Sequence, residues 1–116
     1  MRKSTITIEV QLNEAKHPEQ ISWQAQDSEQ MEPQSCKAIL LSIYDKTSQD
    51  TLKIDLWTTD LQVTEMDKLM FHTLRSLADT YYRATNHRIL ASAMQQFAHY
   101  FGEETGLLKK ETDLKA

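Results

Sequence analysis

Apolar and polar positions alternate strictly at the start of the chain. Ile6, Ile8, Val10 and Leu12 are interleaved with Thr7, Glu9 and Gln11, behind Thr5. This is the period of a strand with one wet face. Asn13 to Gln20, containing Pro18, reads as a turn, and Ile21, Trp23 and Ala25 then alternate with Ser22 and Gln24 as a second strand. Opposed residues of an antiparallel pair share a sheet face. Setting Leu12 against Ile21, Val10 against Trp23 and Ile8 against Ala25 therefore keeps the apolar side chains together.

Gln26 to Gln34 is polar, carries Pro33, and reads as a mobile loop. Ala38 to Tyr44 is an apolar run broken only by Ser42, and Leu52, Ile54 and Leu56 alternate with Lys53, Asp55 and Trp57. Asp45 to Asp50 between them is a hairpin loop. Pairing Ile43 with Leu52, Leu41 with Ile54 and Ile39 with Leu56 again collects the core face, making four strands in two hairpins.

After Thr58 the period lengthens. Met66, Leu69, Met70, Thr73, Leu74, Leu77 and Tyr81 recur at three- and four-residue spacing, the mark of an amphipathic helix. A helix from Glu65 to Ala84, with Thr64 as N-cap, would be about 30 Å long. Asn86 is placed to cap a second helix carrying Leu90, Ala93 or Met94, Phe97 and Phe101 on one side, and Gly106 is its stop. The pattern predicts an α+β fold: a four-stranded antiparallel sheet of two hairpins, with both C-terminal helices packed on its apolar face. Residues 1–106 make one domain, and residues 107–116 a charged, flexible tail.

A chain of 116 residues suits one domain. Thirteen Lys and Arg stand against seventeen Asp and Glu, with no basic cluster, which disfavours nucleic acid as a partner. The lone Cys36 allows no internal disulfide. The opening residues alternate in polarity, and no apolar stretch reaches the length of a signal peptide or a membrane span. The expectation is a cytoplasmic protein without membrane insertion.

Only two glycines occur, Gly102 and Gly106. Phosphate-binding loops, dinucleotide fingerprints and nucleophile elbows need glycine where backbone turns tightly or approaches a phosphate, so all three are excluded. His99 and Glu103, four residues apart, have the spacing of two metal ligands, but neither a paired histidine motif nor a cysteine cluster completes a site, and a surface polar pair is the better reading. His17, His72 and His87 read as solvated histidines, Cys36 as a packing or exposed thiol, and Asp55 and Asp60 as surface carboxylates rather than an acid–base pair. The methionines and Tyr81-Tyr82 fall on or beside helix stripes and read as core. No catalytic residue, cofactor or metal is expected, although a small-molecule enzyme with a deep pocket and convergent titratable groups stays open.

The hairpin register sends Ala38, Leu40, Tyr44 and Trp57 to the outer sheet face, beside Lys53 and Asp55. Aromatic residues in a polar surround are the material of protein-docking patches. Leu40, Tyr44, Lys53, Asp55 and Trp57 are therefore the candidate partner-binding residues. The competing reading is that the loop at Gln26 to Gln34, or the helix ends, covers them.

These segments together resemble the gliding-motility GldC family. The resemblance rests on Lys3-Ser4-Thr5-Ile6-Thr7, on Pro18-Glu19-Gln20-Ile21-Ser22-Trp23 with Asp27, and on Lys37-Ala38 leading to Leu41-Ser42-Ile43-Tyr44-Asp45. It continues through Thr51-Leu52-Lys53-Ile54-Asp55-Leu56-Trp57-Thr58 with Asp60, Ala78-Asp79-Thr80, Ala84-Thr85 and Phe97 to Phe101. It implies a small, soluble, non-enzymatic accessory protein of surface gliding in Bacteroidetes-type bacteria, working through a protein partner of the gliding or secretion machinery. It brings no functional residue across. The order of strands then helices is also that of SecB-type export chaperones, an analogy of fold alone. That alternative predicts a homo-oligomer holding unfolded substrates.

Overall fold

The computed structural model describes residues 2–26 and 32–110. The fold is α+β, with strands first and both helices C-terminal: β1 Ile6–Leu12, β2 Pro18–Ala25, β3 Gln34–Cys36, β4 Ala38–Tyr44, β5 Thr51–Trp57, α1 Val63–Thr85 and α2 Arg88–Glu104. The chain divides into two compact units, Met1–Leu61 and Gln62–Ala116.

In the first unit the strands form two antiparallel sheets, β1-β2-β3 and β4-β5, rather than one sheet of four. The added strand is β3. It carries no apolar alternation and is held by backbone pairing of Ile21, Ser22 and Trp23 with Cys36, Ser35 and Gln34. Of the expected polar loop only Gln34 enters this strand, and residues 27–31 lie outside the described residues. Only Lys37 separates β3 from β4, so one extended run pairs first with β2 and then with β5.

The β4–β5 register is the expected one, with Ile39, Leu41 and Ile43 opposite Leu56, Ile54 and Leu52. The β1–β2 register differs from expectation by two residues. Ile6 faces Ala25, Ile8 faces Trp23 and Val10 faces Ile21, with an irregularity between Gln11 and Leu12. A two-residue slip leaves every side chain on its own face, so hydrophobic pattern cannot detect it. The turn decides instead. Asn13 donates its N–H to the His17 carbonyl at 2.9 Å and its carbonyl accepts from Lys16 at 2.9 Å. Its Oδ1 accepts from the His17 N–H at 3.0 Å, and Lys16 takes the left-handed conformation at φ 65°. The turn closes early, and β2 begins at Pro18, a position where a strand tolerates proline.

Burial within this unit centres on Ile21, which is 2% exposed. Ile6, Leu12, Ile43 and Leu52, at the strand ends, remain exposed, as does Ile54 in mid-strand. The β4–β5 loop is tied by Asp45: its Oδ2 accepts from the N–H groups of Thr47 at 3.1 Å and Ser48 at 2.7 Å. Its backbone N–H reaches the Asp50 carbonyl at 2.9 Å.

The second unit is a helical hairpin. α1 starts earlier than Thr64: Gln62 is the N-cap, and its N–H donates to the Glu65 carboxylate at 2.9 Å. Asn86 ends α1 rather than starting α2. It sits at φ 59° with its N–H on the Tyr82 carbonyl at 2.7 Å, a conformation asparagine tolerates. His87 caps α2, its Nδ1 accepting from the Leu90 N–H at 3.2 Å. Gly106, at φ 81°, follows α2 directly as expected.

The residues buried along the helices are Phe71 and Ala78 on α1 and Ala91, Ala98 and Gly102 on α2. Seven-residue spacing of such positions makes a seam between paired helices, and small side chains let the backbones approach. Leu108 packs over the end of this seam: its N–H donates to the Gly102 carbonyl at 2.9 Å. Residues 111–116 of the expected flexible tail lie outside the described residues.

Candidate docking face

Alternation along β4 and β5 puts Ala38, Leu40, Ser42 and Tyr44 on one face with Trp57, Asp55, Lys53 and Thr51, each opposite its partner in that order. The five candidate residues therefore share one surface. Tyr44 is 67% exposed and Trp57 51% exposed, while Leu40 is half-buried beneath them. Lys53 Nζ and Asp55 Oδ1 lie 3.4 Å apart, an exposed pair that orients both side chains along the strand. Surface pairs of this kind contribute little to stability.

Beside this face lies a hollow of about 410 Å³, lined by His17, Pro18, Asp55, Leu56, Trp57 and Thr59. Sequence reasoning found Asp55 and Trp57 but not the far wall. The Thr59 N–H donates to the Pro18 carbonyl at 3.1 Å, which brings the start of β2 against the end of β5. Nothing in the periodicity reports that long-range bond; the proline at the strand start was the one available hint.

Next along the chain, Thr58 is buried, and its N–H donates to the Lys37 carbonyl at 2.8 Å. Its hydroxyl donates to Asp60 Oδ1, and Lys37 Nζ lies 3.9 Å from Asp60 Oδ2. The Thr58 hydroxyl first, and then the Lys37 charge, hold the Asp60 carboxyl below its ordinary pKa. Such a carboxylate is a fixed anion rather than a proton carrier. Cys36 lines the neighbouring polar hollow with Glu19, Lys37 and Asp60. Burial pushes its thiol pKa up against a hydrogen bond from Ala38, the opposite of what a poised nucleophile requires.

In the helical unit, His99 Nε2 and Glu103 Oε1 are 3.8 Å apart. Among the described residues, no group of three or more His, Cys, Asp or Glu is placed to hold a metal ion. The large residues of the helices hold a surprise for the core expectation. Leu74, Tyr81, Leu90, Ala93, Met94 and Phe97 line an apolar groove of about 540 Å³, with Leu90 and Phe97 exposed. The seam passes through Ala91, Ala98 and Gly102 instead, one position round from the large-residue stripe. The seven-residue spacing of the two alanines was the signal that this stripe obscured.

No helix among the described residues is long and apolar enough to cross a membrane. No curated protein and no solved structure matches the chain. The profile of the gliding motility-associated GldC-like proteins matches residues 18–107, spanning β2 to the end of α2 and so including all of β4 and β5. The chain belongs to the GldC-like family of gliding motility-associated proteins.

Proposed function

We propose that the chain is a non-enzymatic accessory or adaptor protein of the gliding apparatus, acting in the cytoplasm by holding a protein partner on the outer face of β4 and β5. The observation that carries this reading is the exposure of Tyr44 and Trp57 on one face, with the Lys53–Asp55 pair between them and an apolar hollow alongside. Large aromatic residues bury much area at small entropic cost, and a charged pair at their side selects orientation. Membership of the gliding motility-associated family supports a partner within that machinery.

The test is capture from gliding cells with tagged full-length chain, unchanged or carrying Trp57→Ala together with Tyr44→Glu. The expected outcome is a set of partners lost on the double substitution while the circular dichroism spectrum stays the same. Identical partners with both chains would remove the face from consideration.

A further inference from the structure

The outer edge of β5 has the properties of a strand acceptor. The described part of its sheet contains only β4 and β5. In an antiparallel ladder the backbone groups of successive residues point alternately toward and away from the neighbouring strand. The Thr58 N–H points toward the β4 side, to Lys37, and the Thr59 N–H points the other way, to Pro18. By the same alternation Trp57, Asp55 and Lys53 turn their N–H and C=O groups to the outer edge. All three residues are exposed. A row of such groups on an accessible edge is a template for another strand.

Charge says what kind of strand. Residues 1–61 hold six Lys and Arg against ten Asp and Glu, the whole net charge of −4, whereas residues 62–116 hold seven of each. The sheet unit thus attracts a basic segment. The hollow of about 410 Å³ at the end of this edge, walled by Pro18, Leu56 and Trp57, accepts one apolar side chain.

Resting on the adaptor reading above, we infer that the partner is recognised as an extended basic segment that adds to β5 as a strand. It alternates Lys or Arg with apolar residues. Its cationic side chains fall on the face of Asp55 and its apolar ones on the face of Leu56, where one enters the hollow lined by Leu56 and Pro18. Main-chain bonds to Lys53, Asp55 and Trp57 supply affinity, and the side-chain positions supply selection.

The probe is an eight-residue peptide alternating lysine and valine, titrated into the full chain with amide resonances observed by NMR. Saturable binding is expected, with shifts at Lys53, Asp55 and Trp57 and slowed exchange of their amide protons. Methylating alternate backbone nitrogens of the peptide, or replacing its lysines by glutamates, is expected to weaken binding at least tenfold. Lys53→Pro removes an outward N–H without touching the ladder to β4, and is expected to weaken it to the same degree. If that variant does not fold, the methylated peptide makes the same distinction on the unchanged chain. Equal binding of the methylated peptide would mean charge adsorption only, and absence of saturable binding, or shifts confined to another surface, would equally overturn strand addition. A partner lost with Trp57→Ala plus Tyr44→Glu but kept with Lys53→Pro would sink strand addition and leave the docking face standing; a partner kept by both would sink both.

Discussion

Gly102→Ala sets two effects of opposite sign against each other in the helical seam. Alanine in place of glycine inside a helix is worth about 0.8–1 kcal/mol in its favour. A Cβ at this position would, however, lie 2.7 Å from Phe71 Cε1, 2.8 Å from Leu108 Cδ1 and 2.9 Å from Leu108 Cγ. Leu108 is half-buried on the segment after α2 and can swing away. The Phe71 ring is 6% exposed, with the Arg75 guanidinium 5.5 Å from its centroid on one side, and has less room to yield. Overpacking of a filled interior costs about 1–3 kcal/mol. The net expectation is destabilisation of about 0.5–2 kcal/mol, the packing cost exceeding the propensity gain. Urea unfolding followed by far-ultraviolet ellipticity reads this directly, because both helices belong to this unit. Adding Leu108→Ala should recover part of the loss, with a coupling of about 0.5–1 kcal/mol between the two substitutions. A Gly102→Ala chain more stable than the parent by about 1 kcal/mol, as helix propensity alone gives, would mean that the close seam is absent in solution.

Two further outcomes concern the sheet unit. Ile21→Ala should cost about 2–5 kcal/mol by urea unfolding followed through tryptophan fluorescence, since Ile21 is 2% exposed and a buried aliphatic leaves a cavity on truncation; a cost below about 1 kcal/mol would show that its surroundings are not packed. Asp45 has its folded pKa held below the ordinary value, first by the Ser48 N–H and then by the Ser48 hydroxyl. A carboxyl depressed in the folded state contributes stability above its unfolded pKa and loses it as pH falls through the folded one. The acid limb of the stability–pH curve should therefore flatten in Asp45→Asn, and an unchanged limb would rule out the loop as its source.

Legibility in the sequence was uneven, and for identifiable reasons. The gathering of Leu40, Tyr44, Lys53, Asp55 and Trp57 on one face follows from parity alone, because a single odd shift would have turned the apolar residues over, and the β4–β5 register follows once the loop is bounded at Asp45 and Asp50. The β1–β2 register did not follow, since a shift of two is invisible to parity and was settled by the Asn13 side chain and the left-handed Lys16. β3 has no pattern of its own and exists because β2 pairs with it. On α2 the large residues Leu90, Met94 and Phe97 outweighed the small ones as a sign of burial, yet close helix packing selects the small ones, leaving the large stripe to line a groove. The hollow beside Trp57 depends on the Thr59–Pro18 bond, which joins segments about forty residues apart and leaves no local trace.

The scarcity of glycine has a structural consequence beyond the loops it excludes. Among the described residues, three turns reach the left-handed region with other residues, Lys16 at φ 65°, Gln49 at 61° and Asn86 at 59°. Such residues meet a steric penalty that glycine avoids, and each is held by local bonding: Lys16 to Asn13, Gln49 to the Asp45 carbonyl, and Asn86 to the Tyr82 carbonyl. Gly102 stands where a side chain would run into Phe71 and Leu108, and Gly106 where the backbone at φ 81° strains any side chain. Both belong to the helical unit, and β4 and β5 contain none. That surface therefore presents side chains and strand-edge backbone rather than a glycine-lined cradle, a construction suited to recognising another polypeptide and unsuited to enclosing a phosphate.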